Sequence, residues 1–431
     1  MGKSALNDEA LEILNNIARA DILVGIPSYN NEKTIGHVTE AIKLGLAKYY
    51  PDSRAVVFNS DGSSDDNTRM VFERVARTDS YDTFFIKEPQ FPLKTMSSQY
   101  IGIPGKGSAF KAIFEAAQML GVKACAVLDS DLRSITPEWV QLLLEPVLAK
   151  GYGYVCPFYR RYKYDGTITN SIAYPLTRAL YGRRVRQPIG GDFGFSGKLL
   201  KLYLNQDVWN TDVTRFGIDI WMTTTAIIHG FKICQSFMGA KIHDVKDPGT
   251  DLGPMFIQVV GTIFSLMASY ESPWKKVVGS RPTAILGFQS EAEPKPLNVN
   301  VSRMITKFTE GISSHKSLYQ QIFSEQVFTK LMEVTEMSGD NIDFPKTLWA
   351  KVVFDYAVFY QTAGDRQQVL QSLIPLYYGF ISSFVHETEN LDDYQAEEII
   401  EELCQIYEDS KPYLIEQWQK KSKLIPGESK K

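Results

Sequence analysis

The sequence predicts an α/β protein: a Rossmann-like, doubly wound and mostly parallel sheet, with an additional C-terminal α-helical domain. Three observations carry this. Short apolar runs at residues 22–27, 55–58, 124–128 and 152–158 alternate with helix-length amphipathic segments, the pattern of βαβ units with right-handed crossovers. Several of these runs end in polar, carboxylate-bearing turns, as sheets of this class do at their ligand-binding edge. Beyond residue 300, helical periodicity and many aromatics replace strand signals.

In order, residues 7–20 read as a lead-in helix and 22–27 as the first strand, stopped by Pro27 and the turn Ser28-Tyr29-Asn30-Asn31. A helix follows over 32–50, with Ile35, Val38, Ile42, Leu44 and Leu46 near one face. Strand 55–58 runs into Asn59-Ser60-Asp61-Gly62-Ser63 and a helix through Val75. A third strand is expected at 83–86, an irregular loop at 91–105, a helix at 107–120 and a fourth strand at 124–128. Thr136 and Pro137 then open a helix as N-cap and first residue. Strand 152–158, helix 168–181, a glycine-rich stretch at 190–197, helix 217–228 and a last strand-like run at 231–242 complete the first domain. The expected division is 1–278, a linker over 279–300 rich in Pro and Glu, and a helical domain over 301–431.

Composition narrows the function. The 431 residues carry a net charge of −4, which gives no electrostatic case for nucleic acid or an anionic membrane as partner. No run reaches the ~20 apolar residues of a membrane span; the longest candidate, 256–268, is interrupted by Gln258, Gly261 and Thr262. The four cysteines, Cys125, Cys156, Cys234 and Cys404, form no CxxC pair and suit reduced core thiols in a cytoplasmic protein.

Four features at successive strand ends carry chemistry. Pro27, Ser28, Tyr29 and Asn31 offer backbone amides and a ring to a base and ribose. Ser60 and Asp61 place an acceptor beside a tight Gly62 turn. Pro104-Gly105-Lys106-Gly107 opens a helix whose N-terminus and lysine favour a diphosphate. It lacks P-loop spacing. Asp129-Ser130-Asp131 supplies two hard oxygen ligands suited to Mg²⁺ or Mn²⁺. His243, ending the last strand, is a candidate further ligand. An isolated Asp-x-Asp is a weak motif; the series together describes a nucleotide-diphosphate site.

In this order the motifs resemble nucleotide-sugar glycosyltransferases of the GT-A fold, and more closely the retaining enzymes that glycosylate glycerate: the glucosyl-3-phosphoglycerate, glucosylglycerate and mannosylglycerate synthases. The match extends through Phe158-Tyr159-Arg160-Arg161, Ile168-Thr169, Gln187 to Asp192, Gly217-Ile218-Asp219 and Lys241-Ile242-His243. The resemblance implies that Asp131 and His243 bind the metal, that Asp129 helps hold ribose and metal, and that Lys106 neutralises the diphosphate. It also implies that Gly190, Gly191 and Asp192 line the donor sugar, that Thr169 with Arg160 or Arg161 holds the acceptor carboxylate, and that Asp219 lies near the reacting centre. Two departures stand out. Thr167 occupies the position where the phosphoglycerate-using enzymes carry an arginine, which argues for unphosphorylated D-glycerate, although Lys163, Arg183 or Arg184 could substitute. Asp192 stands where a glutamate is usual.

The expected activity is therefore transfer of glucose or mannose, from a UDP- or GDP-sugar, to the hydroxyl of D-glycerate, yielding a compatible solute, with 3-phosphoglycerate as the alternative acceptor. The aromatic C-terminal region suggests a homodimer. The chain has no Gln-x-x-Arg-Trp motif, and no glycine- and arginine-rich loop follows the first strand, so polymerising glycosyltransferases and nucleotidyltransferases rank lower. A non-catalytic binder of nucleotide sugar remains the alternative of a different class.

Overall fold

The computed structural model describes residues 3–78, 89–243, 252–288, 293–336 and 342–422. The strand expected at 83–86 lies outside these. Among the described residues ten strands form, in chain order: β1 (Ile22–Ser28), β2 (Ala55–Asp61), β3 (Lys94–Gln99), β4 (Ala124–Val127), β5 (Tyr154–Arg160), β6 (Arg183–Arg184), β7 (Phe193–Ser196), β8 (Ile233–Ala240), β9 (Arg281–Pro282) and β10 (Ala284–Leu286). Eight make one sheet in the order β10-β8-β5-β7-β4-β1-β2-β3. All its pairings are parallel except those of β7, which runs antiparallel to β4 and β5. The predicted α/β architecture is thus present.

The parallel register sets up the site. Pairing Ile22 with Ala55 brings Ser28 beside Asp61 at the strand ends. Val127 pairs with Phe193, which places Asp192 next to the turn that follows β4. Ile22, Val24, Val57, Ala126, Leu128, Leu143 and Trp139 pack into one core, as near-continuous apolar strands covered by helices require. All four cysteines are buried free thiols.

Two elements depart from expectation. β3 occupies part of the region read as irregular loop. Its sequence Lys-Thr-Met-Ser-Ser-Gln has the polar character of a sheet-edge strand. The glycine-rich stretch ends in β7, where Gly194 is required: a Cβ there would lie 2.1 Å from the Leu143 carbonyl oxygen.

The chain divides into two compact units. One comprises Met1–Arg161, Val185–Val245 and Thr283–Lys295; the other comprises Tyr162–Arg184, Lys246–Pro282 and Pro296–Lys431. The expected boundary at 278 is therefore replaced by an interleaved one, for a physical reason. In the second unit, buried Arg178 is held by Glu401 at 2.5 Å and Glu408 at 2.8 Å. The indole of Trp349 and the hydroxyl of Tyr407 both donate to the Ser171 carbonyl. Segment 162–184 is thereby bound into the C-terminal helices Lys346–Tyr360 and Asp393–Asp409. Nor is all of 279–300 a linker, since β9 pairs with β6 and β10 with β8.

Candidate active site

The residues expected on the nucleotide side lie at the ends of β1 and β2. Asp61 is fully buried. Its Oδ1 accepts from the Ser28 hydroxyl at 3.0 Å and the Ser64 hydroxyl at 2.6 Å, and its Oδ2 from the Ser64 amide at 2.9 Å. Behind Ser28, Asn59 donates to its hydroxyl and accepts from Ser97. Tyr29 is exposed, free to meet a planar base, and Asn31 holds the loop by accepting from the Tyr29 amide and the Ser130 hydroxyl. Pro27 pairs with Ser60, whose buried hydroxyl has no hydrogen-bond partner among the described residues.

The centre is an alternating chain of charges, buried at Asp192, Asp219 and Lys241 and half-buried at Lys106 and Asp129. Lys106 Nζ lies 3.3 Å from Asp219 Oδ2 and 2.9 Å from Asp129 Oδ1. Lys241 Nζ lies 2.9 Å from Asp129 Oδ2, 2.9 Å from Asp192 Oδ2 and 2.8 Å from the Gly190 carbonyl. Asp192 Oδ1 accepts from the Asp129 amide at 2.8 Å, while the Tyr159 hydroxyl donates to Oδ2. The backbone approaches closely here. Gly191 has φ +91°, and a Cβ on it would lie 2.0 Å from Asp129 Oδ2.

Electrostatics follows from this chain. Burial alone would depress both lysines, but Asp129 with Asp219 holds Lys106 up, and Asp129 with Asp192 holds Lys241 up. Burial would raise Asp129, but the two ammonium groups push its carboxyl well below the usual range. Asp219 is pushed up by burial, only partly offset by Lys106. Its Oδ1 is buried without a hydrogen-bond partner among the described residues, an acceptor left over for a substrate group. Asp131 is raised by burial and by Asp129.

Asp131 Oδ2 and His243 Nδ1 are 4.0 Å apart. Two ligands each about 2.1 Å from one cation can be up to ~4.2 Å apart, so a carboxylate oxygen and an imidazole nitrogen here suit Mg²⁺ or Mn²⁺. The stretch carrying His243 is stitched to the acidic turn by the Ile242 amide on Ser134 Oγ and the Arg133 amide on the Ile242 carbonyl. Among the described residues no cluster of three His, Cys, Asp or Glu is arranged to hold a metal. Diphosphate oxygens would have to complete the coordination.

Several expectations change. Asp129, read as a metal ligand, has both oxygens on lysines. Asp192, read as a sugar-contacting catalytic residue, is fully buried with both oxygens filled by protein donors, so it holds the wall rather than touching a sugar. Arg161 donates to Gln187 Oε1 at 2.8 Å. Arg160 pairs with Ala240 at the end of β5. Thr167 and Thr169 belong to the helical unit and are buried there. The Thr167 hydroxyl bonds the Tyr377 hydroxyl at 2.5 Å, which turns it into the helical core. Thr169 starts a π-helical turn, Thr169–Ala173, a distortion common at functional sites. Lys163 cannot stand in for the missing arginine, because its ammonium serves the carbonyls of Thr388, Glu389 and Leu391. Sequence reasoning quoted Lys241 within Lys241-Ile242-His243 but assigned it no role; its place two residues before the histidine was the available signal.

The Ser28–Asp61 strand ends, the Lys106 helix start and the acidic turn after β4 lie along one mostly parallel sheet, the arrangement expected of a sugar-nucleotide transferase domain. Residues 23–209 match the model of glycosyl transferase family 2. A curated relative, glucosyl-3-phosphoglycerate synthase of Mycolicibacterium smegmatis, is 26% identical over 263 residues, covering 57% of this chain and 77% of the relative. Among solved structures, glucosyl-3-phosphoglycerate synthase of Mycobacterium tuberculosis with Mg²⁺ and UDP matches with TM-score 0.43 and 23% identity, covering 61% of this chain and 85% of that one. The same enzyme with Mn²⁺, UDP and glucosyl-3-phosphoglycerate matches with TM-score 0.43 and 20% identity, covering 68% and 96%.

Proposed function

We propose that this glycosyltransferase moves a glucosyl or mannosyl group from a UDP- or GDP-sugar to the hydroxyl of D-glycerate, with the anomeric configuration retained and with Mg²⁺ or Mn²⁺ as cofactor. One observation carries the donor half: the chain Asp219–Lys106–Asp129–Lys241–Asp192 at the strand ends, with Asp131 and His243 beside it. Asp131 and His243 would hold the metal, which when bound supplies charge to stabilise the departing diphosphate. Lys106, on the N-terminal turn of helix Lys106–Met119, turns from Asp129 and Asp219 to the same diphosphate and adds a full positive charge where negative charge develops. Asp219 uses its unpartnered oxygen to stabilise positive charge on the sugar or to orient the acceptor. Asp192 keeps Gly190 and Gly191 against Asp129. The sequence motifs offer no glutamate in a nucleophile position, which favours attack from the leaving-group side through a short-lived oxocarbenium-like ion pair. A diphosphate oxygen takes the acceptor's proton.

The acceptor half rests on Thr167, which stands where the phosphoglycerate-using enzymes carry a phosphate-gripping arginine. The engagement of Lys163 with three carbonyls supports the unphosphorylated acid. The curated relative's name favours a second reading, 3-phosphoglycerate as acceptor. The test crosses UDP-glucose, GDP-glucose, GDP-mannose and UDP-mannose with D-glycerate and 3-phosphoglycerate, with Mg²⁺ or Mn²⁺, and follows nucleotide release. Turnover with D-glycerate and at least tenfold less with phosphoglycerate supports the first reading; the reverse establishes the second. Binding of nucleotide sugar without turnover in any combination puts a binding-only role or another acceptor first.

A further inference from the structure

Both carboxylate oxygens of Asp129 face ammonium groups, Lys106 on Oδ1 and Lys241 on Oδ2, each at 2.9 Å. The two lysines differ. Lys106 makes one bond at 2.9 Å and one at 3.3 Å, and its third donor is available to a phosphate. Lys241 has all three donors used, on Asp129, Asp192 and the Gly190 carbonyl, and its side chain is 4% exposed. An ammonium has three donors and no more, so Lys241 has none left for a diphosphate. Its effect falls on Asp129, the carboxylate two residues from Asp131. While Lys241 holds it, Asp131 and His243 are the candidate protein ligands for a cation, and no larger metal-binding cluster exists among the described residues.

We propose that Lys241 is a positioning residue that sets how the divalent cation arrives: by holding Asp129 it denies the ion a third protein ligand, so the cation enters together with the diphosphate. This rests on the reading that the site takes a nucleoside-diphosphate sugar. Two protein ligands next to ammonium groups bind a hard dication weakly, since the fixed positive charges repel it and carboxylate count raises affinity. The diphosphate changes the balance by drawing Lys106 to itself and supplying hard oxygens of its own.

The experiment is a Mn²⁺ titration of the full chain by electron paramagnetic resonance, with and without UDP or GDP. The variants are Lys241→Met, Lys241→Gln and the double change Asp129→Asn/Lys241→Met. The native chain is expected to bind Mn²⁺ at least tenfold more tightly with nucleotide present. Lys241→Met is expected to bind Mn²⁺ alone at least tenfold more tightly than native, because Asp129 becomes a ligand, and the double change returns it to the native value. Merely structural damage would weaken binding rather than strengthen it. Lys241→Gln, which keeps a hydrogen-bond donor without the charge, gives the same reading if the methionine variant does not fold. Unchanged or weaker Mn²⁺ binding in a folded Lys241 variant overturns the proposal, as does tight nucleotide-independent binding by the native chain. Failure of the native chain to bind UDP or GDP, read by calorimetry, instead overturns the donor reading on which the proposal stands.

Discussion

Asp192 separates a residue that touches sugar from one that holds the wall beside it. Its Oδ1 accepts from the Asp129 amide, and its Oδ2 from Lys241 and Tyr159. Asp192→Asn replaces one of these oxygens with an NH₂ group, so one face meets a donor with a donor, and Lys241 loses one of its two carboxylates. Breaking a buried pair costs about 3–5 kcal/mol. Asp129 still neutralises Lys241, so the lower end, about 3 kcal/mol, applies. At roughly 2–4 °C per kcal/mol for a unit of this size, the expected fall in Tm is about 6–12 °C. Asp192→Glu adds a methylene to a fully buried position and is expected to lose about 1–3 kcal/mol. The assay is differential scanning calorimetry beside donor KM. A variant whose Tm stays within about 2 °C of native while donor KM rises tenfold would refute the reasoning, because the carboxylate would then be reaching the sugar.

Three further outcomes are expected. Lys106→Met removes the charge aimed at the diphosphate and should lower kcat about 10²–10³-fold, the cost of losing one preorganised electrostatic contact; steady-state kinetics with less than a fivefold change would remove Lys106 from the transition state. In the helical unit, burial pushes the Asp355 carboxyl up to about 7, against hydrogen bonds from Tyr413 at 2.8 and 2.9 Å and the charges of Lys351 and Lys421. The folded chain then keeps a proton the unfolded chain has lost between about pH 4 and 7, so stability falls as pH rises through that window and stays low above it. Asp355→Asn should therefore be more stable than native at pH 8, by up to about 4 kcal/mol for a three-unit shift, with no such gain at pH 4; equal denaturant midpoints at pH 8 would contradict this. Tyr377→Phe, which leaves the buried Thr167 hydroxyl without its partner, should lower stability by about 1–3 kcal/mol, read as a shift in denaturant midpoint; an unchanged midpoint would contradict the bond's contribution.

What the sequence disclosed was local, and what it hid was long-range. β1, β2 and β4 were legible because each is a short apolar run ending in a polar turn. The turns at Ser28, Asp61, Lys106 and Asp129 were legible because their chemistry lies in adjacent residues. β3 was hidden because a polar edge strand has no apolar signature, and β7 because its residues read as a glycine-rich turn. Lys241 acquires its role only through register. β8 lies beside β5, and β7 runs antiparallel to both β4 and β5. This brings one ammonium within 2.9 Å of carboxylates 112 and 49 residues away in sequence. The same applies to Asp192, whose burial no motif announces. The allegiance of 162–184 to the C-terminal helices depends on Arg178 meeting Glu401 and Glu408, pairs more than 200 residues apart.

The central claim, transfer of a hexose to glycerate from a donor held by this lysine–carboxylate chain, is tested most directly by proton NMR of the reaction product. The purified chain is incubated with D-glycerate, Mn²⁺ and the donor it turns over fastest. The account predicts a glycosylglycerate whose anomeric configuration is that of the donor, and no product from Lys106→Met over the same time. An inverted linkage would contradict the ion-pair route, and a product formed only when 3-phosphoglycerate replaces glycerate would contradict the acceptor assignment built on Thr167.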